Sequence, residues 1–236
     1  MKRRQQQPSG LGGLLASVRT RPAGRRALAT LSFVLFVAGA WMVSYPFVTD
    51  LYALQVVQRP LRDRFADPDV RRAYRARAVA PGDPLTRIRI PALGVEAIVV
   101  EGTSPEALRA GAGHYPDTPL PGEQGNVVIA GHRTTYGKPF SRLEALRAGD
   151  VIELETPLQT HTYRVVDPPS GLKGCSNKAA CWITAPDDWG VVRPTVIPML
   201  TLTTCHPRGS AEQRLILRAE LVSPVGGSRL LRGDGS

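Results

Sequence analysis

The most constraining feature of this 236-residue chain is a run without a charged side chain, residues 27–48. At about 1.5 Å per helical residue, such a run is long enough to cross a hydrocarbon core of roughly 30 Å. Trp41 and Tyr45 lie toward its far end, where aromatic side chains favour the headgroup layer. The run has no polar face, which argues against a helix buried in a protein core. The sequence therefore predicts one transmembrane helix.

The residues before this run, 1–26, form a basic tail without Asp or Glu. Because basic flanks stay on the cytoplasmic side, we predict a single-pass cell-membrane protein with a cytoplasmic N-terminus and its remaining chain outside the cell. The alternative is a cleaved signal peptide with Ala38-Gly39-Ala40 as the cleavage site, although the run exceeds the usual apolar core of roughly 7–15 residues. Both interpretations export the rest of the chain.

The formal net charge is +10, which raises the question of nucleic acid. The basic residues are concentrated toward the N-terminal third, and no nucleic-acid-binding motif accompanies them. We therefore interpret the basic tail as a topology signal and predict no nucleic-acid partner.

Residues 49–84 are predicted to form an extracellular helical stalk or linker. Apolar residues recur there at spacings of three and four, as on one face of a helix: Leu51, Leu54, Val57, Leu61 and Phe65. The string Pro81-Gly82-Asp83-Pro84 ends this pattern. A catalytic domain is predicted over 85–223, and the Gly-, Ser- and Arg-rich residues 224–236 are predicted to be a flexible tail.

The predicted catalytic domain contains short apolar or alternating runs separated by Gly and Pro. Seven of them are predicted strands, namely 86–90, 97–100, 126–130, 151–154, 162–166, 199–204 and 215–221. Short helices are predicted over 104–110 and near 141–148. This pattern predicts a mostly β fold, a small closed β-barrel with short helices, preceded by the one transmembrane helix.

Three of the predicted strands carry a reactive side chain at one end. His132 follows the strand 126–130, Cys205 follows 199–204, and Arg214 precedes 215–221. Alternation turns Leu202 and Thr204 to one face and Cys205 to the other. The turn 206–210 is short enough for the last two strands to pair antiparallel, which would bring Arg214 near Cys205.

These residues resemble the sortase family over roughly 85–221. The resemblance rests on the strings GNVVIAGHR and TLTTC, on an Arg nine positions after the Cys, and on the segment GHYP at 113–116. It is most similar to class E, the housekeeping type of high-GC Gram-positive bacteria. The resemblance implies a sortase-type barrel with an N-terminal signal anchor.

The resemblance also implies a reaction. The Cys205 thiolate would attack the carbonyl carbon of the Thr-Gly bond in an LAxTG- or LPxTG-like sorting signal of a secreted protein, forming a thioacyl enzyme. His132 would act as acid and then base, and Arg214 would hold the substrate and the oxyanion. The acceptor would be an amine of a cell-wall precursor such as lipid II. Arg218 is the rival cation, expected to be solvated.

Weaker substrate-binding candidates are Thr204, His114 and Tyr115. His114 lies in a predicted Gly-rich loop and is a candidate for lining the substrate groove, while Thr204 precedes the nucleophile. Tyr115 is as readily explained by packing.

Cys175 and Cys181 are predicted to form a disulfide, because nearby cysteines in an exported domain are commonly paired. Free thiols are the alternative, and a zinc site is disfavoured because His161 is the only further ligand nearby in sequence. They lie in an insertion, 171–192, that the resemblance does not match in detail. We expect no metal or cofactor; calcium stays open, although no compact carboxylate cluster demands it.

Three other functions are consistent with parts of the sequence. One is a cysteine peptidase of the papain type, but there the Cys precedes the His and begins a helix, whereas His132 comes 73 residues before Cys205. The second is a pilus-type sortase that joins pilin lysines. The third is an inactive membrane-tethered barrel that binds a partner, which does not explain three reactive residues in one register.

Overall fold

A computed structural model describes residues 22–172, 174–175 and 179–222. Contacts divide the chain into two compact units, Met1–Tyr45 and Pro46–Ser236. Helix α1, Pro22–Tyr52, begins in the first unit, and its apolar part is long and apolar enough to cross a membrane. Residues 1–21 of the basic tail and the whole predicted C-terminal tail, 224–236, lie outside the described residues. Residues 22–26 of the basic tail are described and belong to α1.

Short helices follow α1 in the second unit. They are a π-helical segment Ala53–Gln58, α2 Arg59–Phe65, α3 Pro68–Arg75 and, after two strands, α4 Pro105–Leu108. The Asp67 side chain caps α3 by accepting from the Asp69 amide at 2.8 Å. Leu61 and Phe65 of α2 pack with Ile98, and so the segment predicted as a stalk is helical and is folded against the β-sheet.

Within the described residues, nine strands form one sheet. They are β1 Pro84–Ile90, β2 Val95–Glu101, β3 Ala112–His114, β4 Asn126–Gly131, β5 Val151–Glu155, β6 Thr160–Val165, β7 Cys181–Thr184, β8 Met199–His206 and β9 Gln213–Val222. Their order is β6-β5-β1-β2-β3-β4-β8-β9-β7, and β6 also pairs with β9. That last pairing closes eight strands into a barrel, with β7 added beside β9. The predicted closed barrel is confirmed.

The barrel core is lined by alternate residues of the strands, as a period of two requires. Leu200 and Leu202 of β8 face Leu215 and Leu217 of β9, and all four are fully buried. Phe140, from the segment after β4, lies in the same core and would clash with any side chain at Gly131. The core thus explains why a glycine precedes His132.

Two strands were not predicted. β3 was interpreted as a Gly-rich loop, and β7 lies inside the insertion 171–192. The two short helices in this domain are smaller than predicted, α4 covering Pro105–Leu108 and the second being one 3-10 turn, Leu143–Ala145. Neither segment is long enough to sustain a regular helix between the strands that flank it.

Candidate active site

His132, Cys205 and Arg214 stand in one row across three neighbouring strands. β4 is parallel to β8 with Ala130 opposite Thr203, and continuing this register by two residues places His132 level with Cys205. β9 is antiparallel to β8 with Arg214 directly opposite Cys205. The antiparallel pairing predicted from the short turn is present. The three residues therefore lie at the same end of the barrel.

The alternation of β8 and β9 sends this row away from the core. Leu202 and Leu215 point inward, and so Cys205 and Arg214, each an odd number of positions away, point outward. The Cys205 thiol is free and half-buried. A thiol in such a place is sheltered by protein and still open to a polypeptide substrate.

Backbone and side-chain contacts fix the position of His132. Its amide donates to the Gly111 carbonyl at 2.9 Å, and its carbonyl accepts from the Phe140 amide at 3.2 Å. Its ring packs against the Tyr136 ring with centroids 5.1 Å apart. Burial lowers the pKa of His132 below 6.5, and a hydrogen bond to the Leu108 carbonyl opposes this shift. Because one ring nitrogen is engaged by the Leu108 carbonyl, the other nitrogen is left for proton transfer.

The Thr204 side chain ties the nucleophile strand to the histidine strand. Its hydroxyl donates to the Gly131 carbonyl at 2.7 Å, and the residue is buried. Gly131 and Thr204 immediately precede His132 and Cys205, and so this bond sets the relative height of the two reactive residues. Thr204, predicted as a substrate contact, instead has its hydroxyl engaged with the backbone.

The structure adds Arg133 to the site, a residue to which sequence reasoning gave no role. Its side chain is only 6% exposed. Nη1 donates to the Cys205 carbonyl at 3.2 Å and to His206 Nδ1 at 2.8 Å, while Nη2 lies 3.3 Å from a Glu144 carboxylate oxygen. Arg133 therefore fixes the backbone at the nucleophile. Arg133 directly follows His132 in the GHR string, and this proximity to a predicted catalytic residue is the sequence feature that could have identified it.

Tyr115 and the Arg214 guanidinium lie near the thiol. Burial raises the pKa of Tyr115. The charge of Arg214 lowers this pKa and that of Cys205 raises it, and so the phenol lies within electrostatic range of both groups. Arg214 Nη1 donates to the carbonyls of Ala211 at 2.8 Å and Gln213 at 3.0 Å. The hairpin before β9 thus holds the guanidinium at the edge of the site, and Tyr115 borders the same space.

Arg218 was expected to be solvated, and that expectation is wrong. It lies opposite Thr201, to which its Nε donates at 3.3 Å, and its guanidinium sits 5.5 Å from the centre of the Trp182 ring. Burial lowers the pKa of Arg218. Trp182 belongs to β7, a strand that was not predicted from the sequence. The contact between Trp182 and Arg218 could therefore not be predicted either.

His114, a candidate for lining the substrate groove, is buried and engaged with other side chains and backbone. It is 1% exposed, with Nδ1 2.9 Å from a Glu101 carboxylate oxygen. Its Nε2 lies 3.0 Å from both the Thr118 hydroxyl and the Pro119 carbonyl. Both ring nitrogens are engaged inside the protein, and the ring has no surface to offer a substrate.

Cys175 and Cys181 are joined by a disulfide with Cα atoms 5.4 Å apart. The Cys175 amide also donates to the Cys181 carbonyl at 2.7 Å, which fastens the described part of the insertion to β7. Within the described residues, no group of three or more His, Cys, Asp or Glu side chains is placed to hold a metal ion.

Comparison with known proteins gives a consistent result. A profile of the Sortase domain matches residues 88–222. SrtE1 of Streptomyces coelicolor is 29% identical over 60% of this chain and 41% of its own length. Sortase D of Bacillus subtilis is 31% identical over 58% of this chain and 63% of its own length. The chain thus spans less than two thirds of either relative.

Solved structures extend this similarity to the fold. The structure of sortase E from Streptomyces avermitilis matches with a TM-score of 0.51 and 34% identity. The match covers 61% of this chain and 91% of that one. The fold and the sequence similarity therefore coincide over the barrel that carries the row of three residues.

Proposed function

This chain belongs to the sortase family of cysteine transpeptidases, and from that membership we propose that it is a membrane-anchored sortase of the class E type. The proposed reaction cleaves the Thr-Gly bond of a C-terminal LAxTG- or LPxTG-like sorting signal. The released protein is transferred to an amine of the cell wall. The observation that carries this proposal is the register that sets His132, Cys205 and Arg214 level on three neighbouring strands.

In the first half-reaction, the Cys205 sulfur attacks the threonine carbonyl carbon and the C–N bond to glycine breaks. The thiolate is the reactive form, and the leaving glycine amine needs a proton. His132 supplies that proton in its imidazolium form. The product is a thioester between Cys205 and the threonine carbonyl, with the glycine-containing peptide released.

In the second half-reaction, an amine attacks the thioester carbonyl. Neutral His132 accepts the proton that the amine loses as it forms the new amide bond, and Cys205 leaves as a thiolate. The same residue serves as acid and then base because the two steps mirror each other. A partner amine of a peptidoglycan precursor of the lipid II type fits this role.

Each half-reaction places negative charge on the carbonyl oxygen. Arg214 is the cation directly opposite Cys205, and a guanidinium keeps its charge at any working pH. Its fixed fork of donors suits an oxyanion and a neighbouring carbonyl. Arg218 lies opposite Thr201, four residues before Cys205 on β8, which supports the choice of Arg214.

The proposed location is the outer face of the cell membrane. Helix α1 supplies a span long and apolar enough to cross a bilayer, and the basic residues before it favour a cytoplasmic N-terminus. The barrel then lies outside, where secreted proteins with sorting signals and wall precursors are found.

Product analysis tests this proposal. The full-length protein in detergent is incubated with a fluorogenic LAxTG peptide and an added amine, beside its Cys205→Ala variant. We expect an amide product with the native protein and none with the variant. Equal cleavage by both proteins would remove the enzyme assignment, and hydrolysis alone at every amine concentration would remove the transferase but keep the nucleophile.

A further inference from the structure

Asp50 connects the end of helix α1 to the loop after His132. It lies two residues beyond the uncharged run, and its side chain is only 15% exposed. Oδ1 accepts from the Gly137 amide at 3.0 Å, and Oδ2 is 2.5 Å from Lys138 Nζ. One carboxylate therefore holds two consecutive residues of a loop that is 87 and 88 positions away in sequence.

That loop has a backbone that needs external support. Tyr136, Gly137 and Lys138 have φ angles of 51°, 74° and 38°, three consecutive left-handed residues. A non-glycine residue in this region is strained and persists where its surroundings hold it. Asp50 bonds the second and third of these residues. Ala53 lies beside them, since a Cβ on Gly137 would be 3.8 Å from its methyl group.

The loop in turn determines what His132 packs against. The Tyr136 ring contacts the His132 ring. The Tyr136 carbonyl lies so close to Gly111 that a Cβ there would approach within 2.7 Å. The Gly111 carbonyl is the acceptor for the His132 amide. A shift of the loop would therefore move both the ring partner and the backbone partner of His132.

Gln58 makes a second connection from the same segment. It is 3% exposed. Its Nε2 donates to the carbonyls of Ala110 at 2.6 Å and Ile98 at 2.9 Å, and its Oε1 accepts from the Ile98 amide at 2.8 Å. Ala110 directly precedes Gly111. The juxtamembrane segment, residues 50–58, thus supports the His132 environment from two sides.

We propose that the juxtamembrane segment is part of the support of the active site and that Asp50 is a positioning residue for His132. The inference rests on the proposed function of His132 as acid and base. Asp50 touches no reacting group and acts through the loop 136–138. The Asp50 carboxylate, at the end of helix α1, contacts the loop that packs on His132.

Removing the carboxylate should affect turnover more than substrate binding, because Tyr115 and Arg214 lie on other segments. For Asp50→Ala we expect kcat to fall about ten- to hundredfold with KM changed less than about threefold, the range typical of a reacting group displaced by about 1 Å. The kcat of Asp50→Asn should lie between those of Asp50→Ala and the native protein. Its amide oxygen still accepts from the Gly137 amide, while the ion pair with Lys138 is lost.

The test uses the full-length protein in detergent micelles with four variants. They are Asp50→Ala, Asp50→Asn, Lys138→Ala, which removes the ion pair but keeps the acceptor of the Gly137 amide, and the control Asp63→Ala, which removes an exposed carboxylate from α2. Steady-state kinetics separate kcat from KM. Nuclear Overhauser contacts between histidine and tyrosine rings report the packing of His132 on Tyr136 without any turnover.

We expect Asp50→Ala to lose the ring contact and most of kcat, Asp50→Asn and Lys138→Ala each to keep at least part of the kcat that Asp50→Ala loses because the Gly137 amide keeps its acceptor, and Asp63→Ala to match the native protein. A kcat for Asp50→Ala equal to that of Asp63→Ala, with the ring contact kept, overturns the inference. A fall in kcat with a large rise in KM, with Asp50→Asn and Lys138→Ala no more active than Asp50→Ala, also overturns it and indicates a folding role. If the native protein has no transpeptidase activity, the proposed function fails and the ring contact alone decides the positioning claim.

Discussion

Substituting Arg133 by leucine tests the claim that a buried cation fixes the backbone at the nucleophile. The side chain is 6% exposed and donates to the Cys205 carbonyl at 3.2 Å and to His206 Nδ1 at 2.8 Å. Leucine fills much of the same space but offers no donor. The Cys205 carbonyl would lose its side-chain partner at the point where β8 carries the thiol.

The expected loss of stability follows from these contacts. Each of the two lost hydrogen bonds, to the Cys205 carbonyl and to His206, is worth about 1.5–3 kcal/mol. Losing the 3.3 Å pair with Glu144 adds less than about 1 kcal/mol, because Glu144 is one-third exposed and keeps Arg208 at 2.8 Å. Relief from burying a cation whose Nε has no partner offsets about 1–4 kcal/mol of this loss. We expect a net loss of about 2 kcal/mol.

The assay is thermal unfolding of the full-length protein in detergent, followed by kinetics with the sorting-signal peptide. For a domain of 150–250 residues, about 2 kcal/mol lowers Tm by roughly 4–8 °C. We expect kcat/KM to fall about tenfold at a temperature where the variant is folded, because the end of β8 is released. Arg147→Leu is the matched control, because it removes an exposed arginine close in sequence to the 3-10 turn Leu143–Ala145 that carries Glu144.

The reasoning fails if Arg133→Leu and Arg147→Leu melt within 1 °C of each other, roughly the error of such a measurement. It also fails if Arg133→Leu is destabilised but keeps full kcat/KM, since the backbone at Cys205 would then not depend on the guanidinium. A lysine at position 133 should give an intermediate result, because one ammonium cannot reproduce the fork of donors.

Three further predictions concern the arginines, the cysteines and pH. Arg214→Ala should lower kcat about 10²–10³-fold, as for the loss of an oxyanion donor, whereas Arg218→Ala should mainly lower Tm; a larger kinetic loss at Arg218, measured with the same peptide, would reverse the assignment. Replacing Cys175 and Cys181 together by serine should lower the free energy of unfolding by about 2 kcal/mol, the chain-entropy value for so short a loop, with no change expected if the bond does not form in solution. Burial lowers the pKa of His132 below its usual 6.5, and so the unfolded chain binds more protons as pH falls below 6.5 and stability is lost; urea midpoints at pH 7.5 and 5.5 should show this loss, and His132→Gln should reduce it.

The sequence was sufficient for the barrel and for the pairing of Cys205 with Arg214. Both depend on local signals: alternation in the predicted strands and a turn too short to separate the last two. His132 was found because its strand is apolar and ends in a Gly-His pair. Such features are read along one stretch of chain and need no knowledge of what packs on it.

The strands and contacts that were missed depend on distant partners. β3 consists of Ala112, Gly113 and His114, which show no alternation, and it exists because β2 and β4 pair with it on either side. Arg218 was expected to be solvated because its alternation turns it outward, but Trp182 covers that face. No local sequence pattern predicts the pairing of β3 with its two neighbours or the contact of Trp182 with Arg218.

The contact between Asp50 and the loop 136–138 shows the same limit at the active site. In the sequence, Asp50 is an ordinary polar residue after an apolar run. Its meaning arises only when Gly137 and Lys138, folded with positive φ, present an amide and an ammonium to it. Side chains that position a catalytic residue from another segment are thus the part of a site that sequence reasoning misses.

The central claim is that Cys205 forms a thioester with the threonine of a sorting signal. Intact-mass measurement of the full-length protein after brief mixing with an LAxTG peptide, before any amine is added, tests it directly. We expect a mass increase equal to the peptide up to its threonine, mapped to Cys205, absent from Cys205→Ala and discharged by an added amine. No adduct, or an adduct that persists in Cys205→Ala, would contradict the claim.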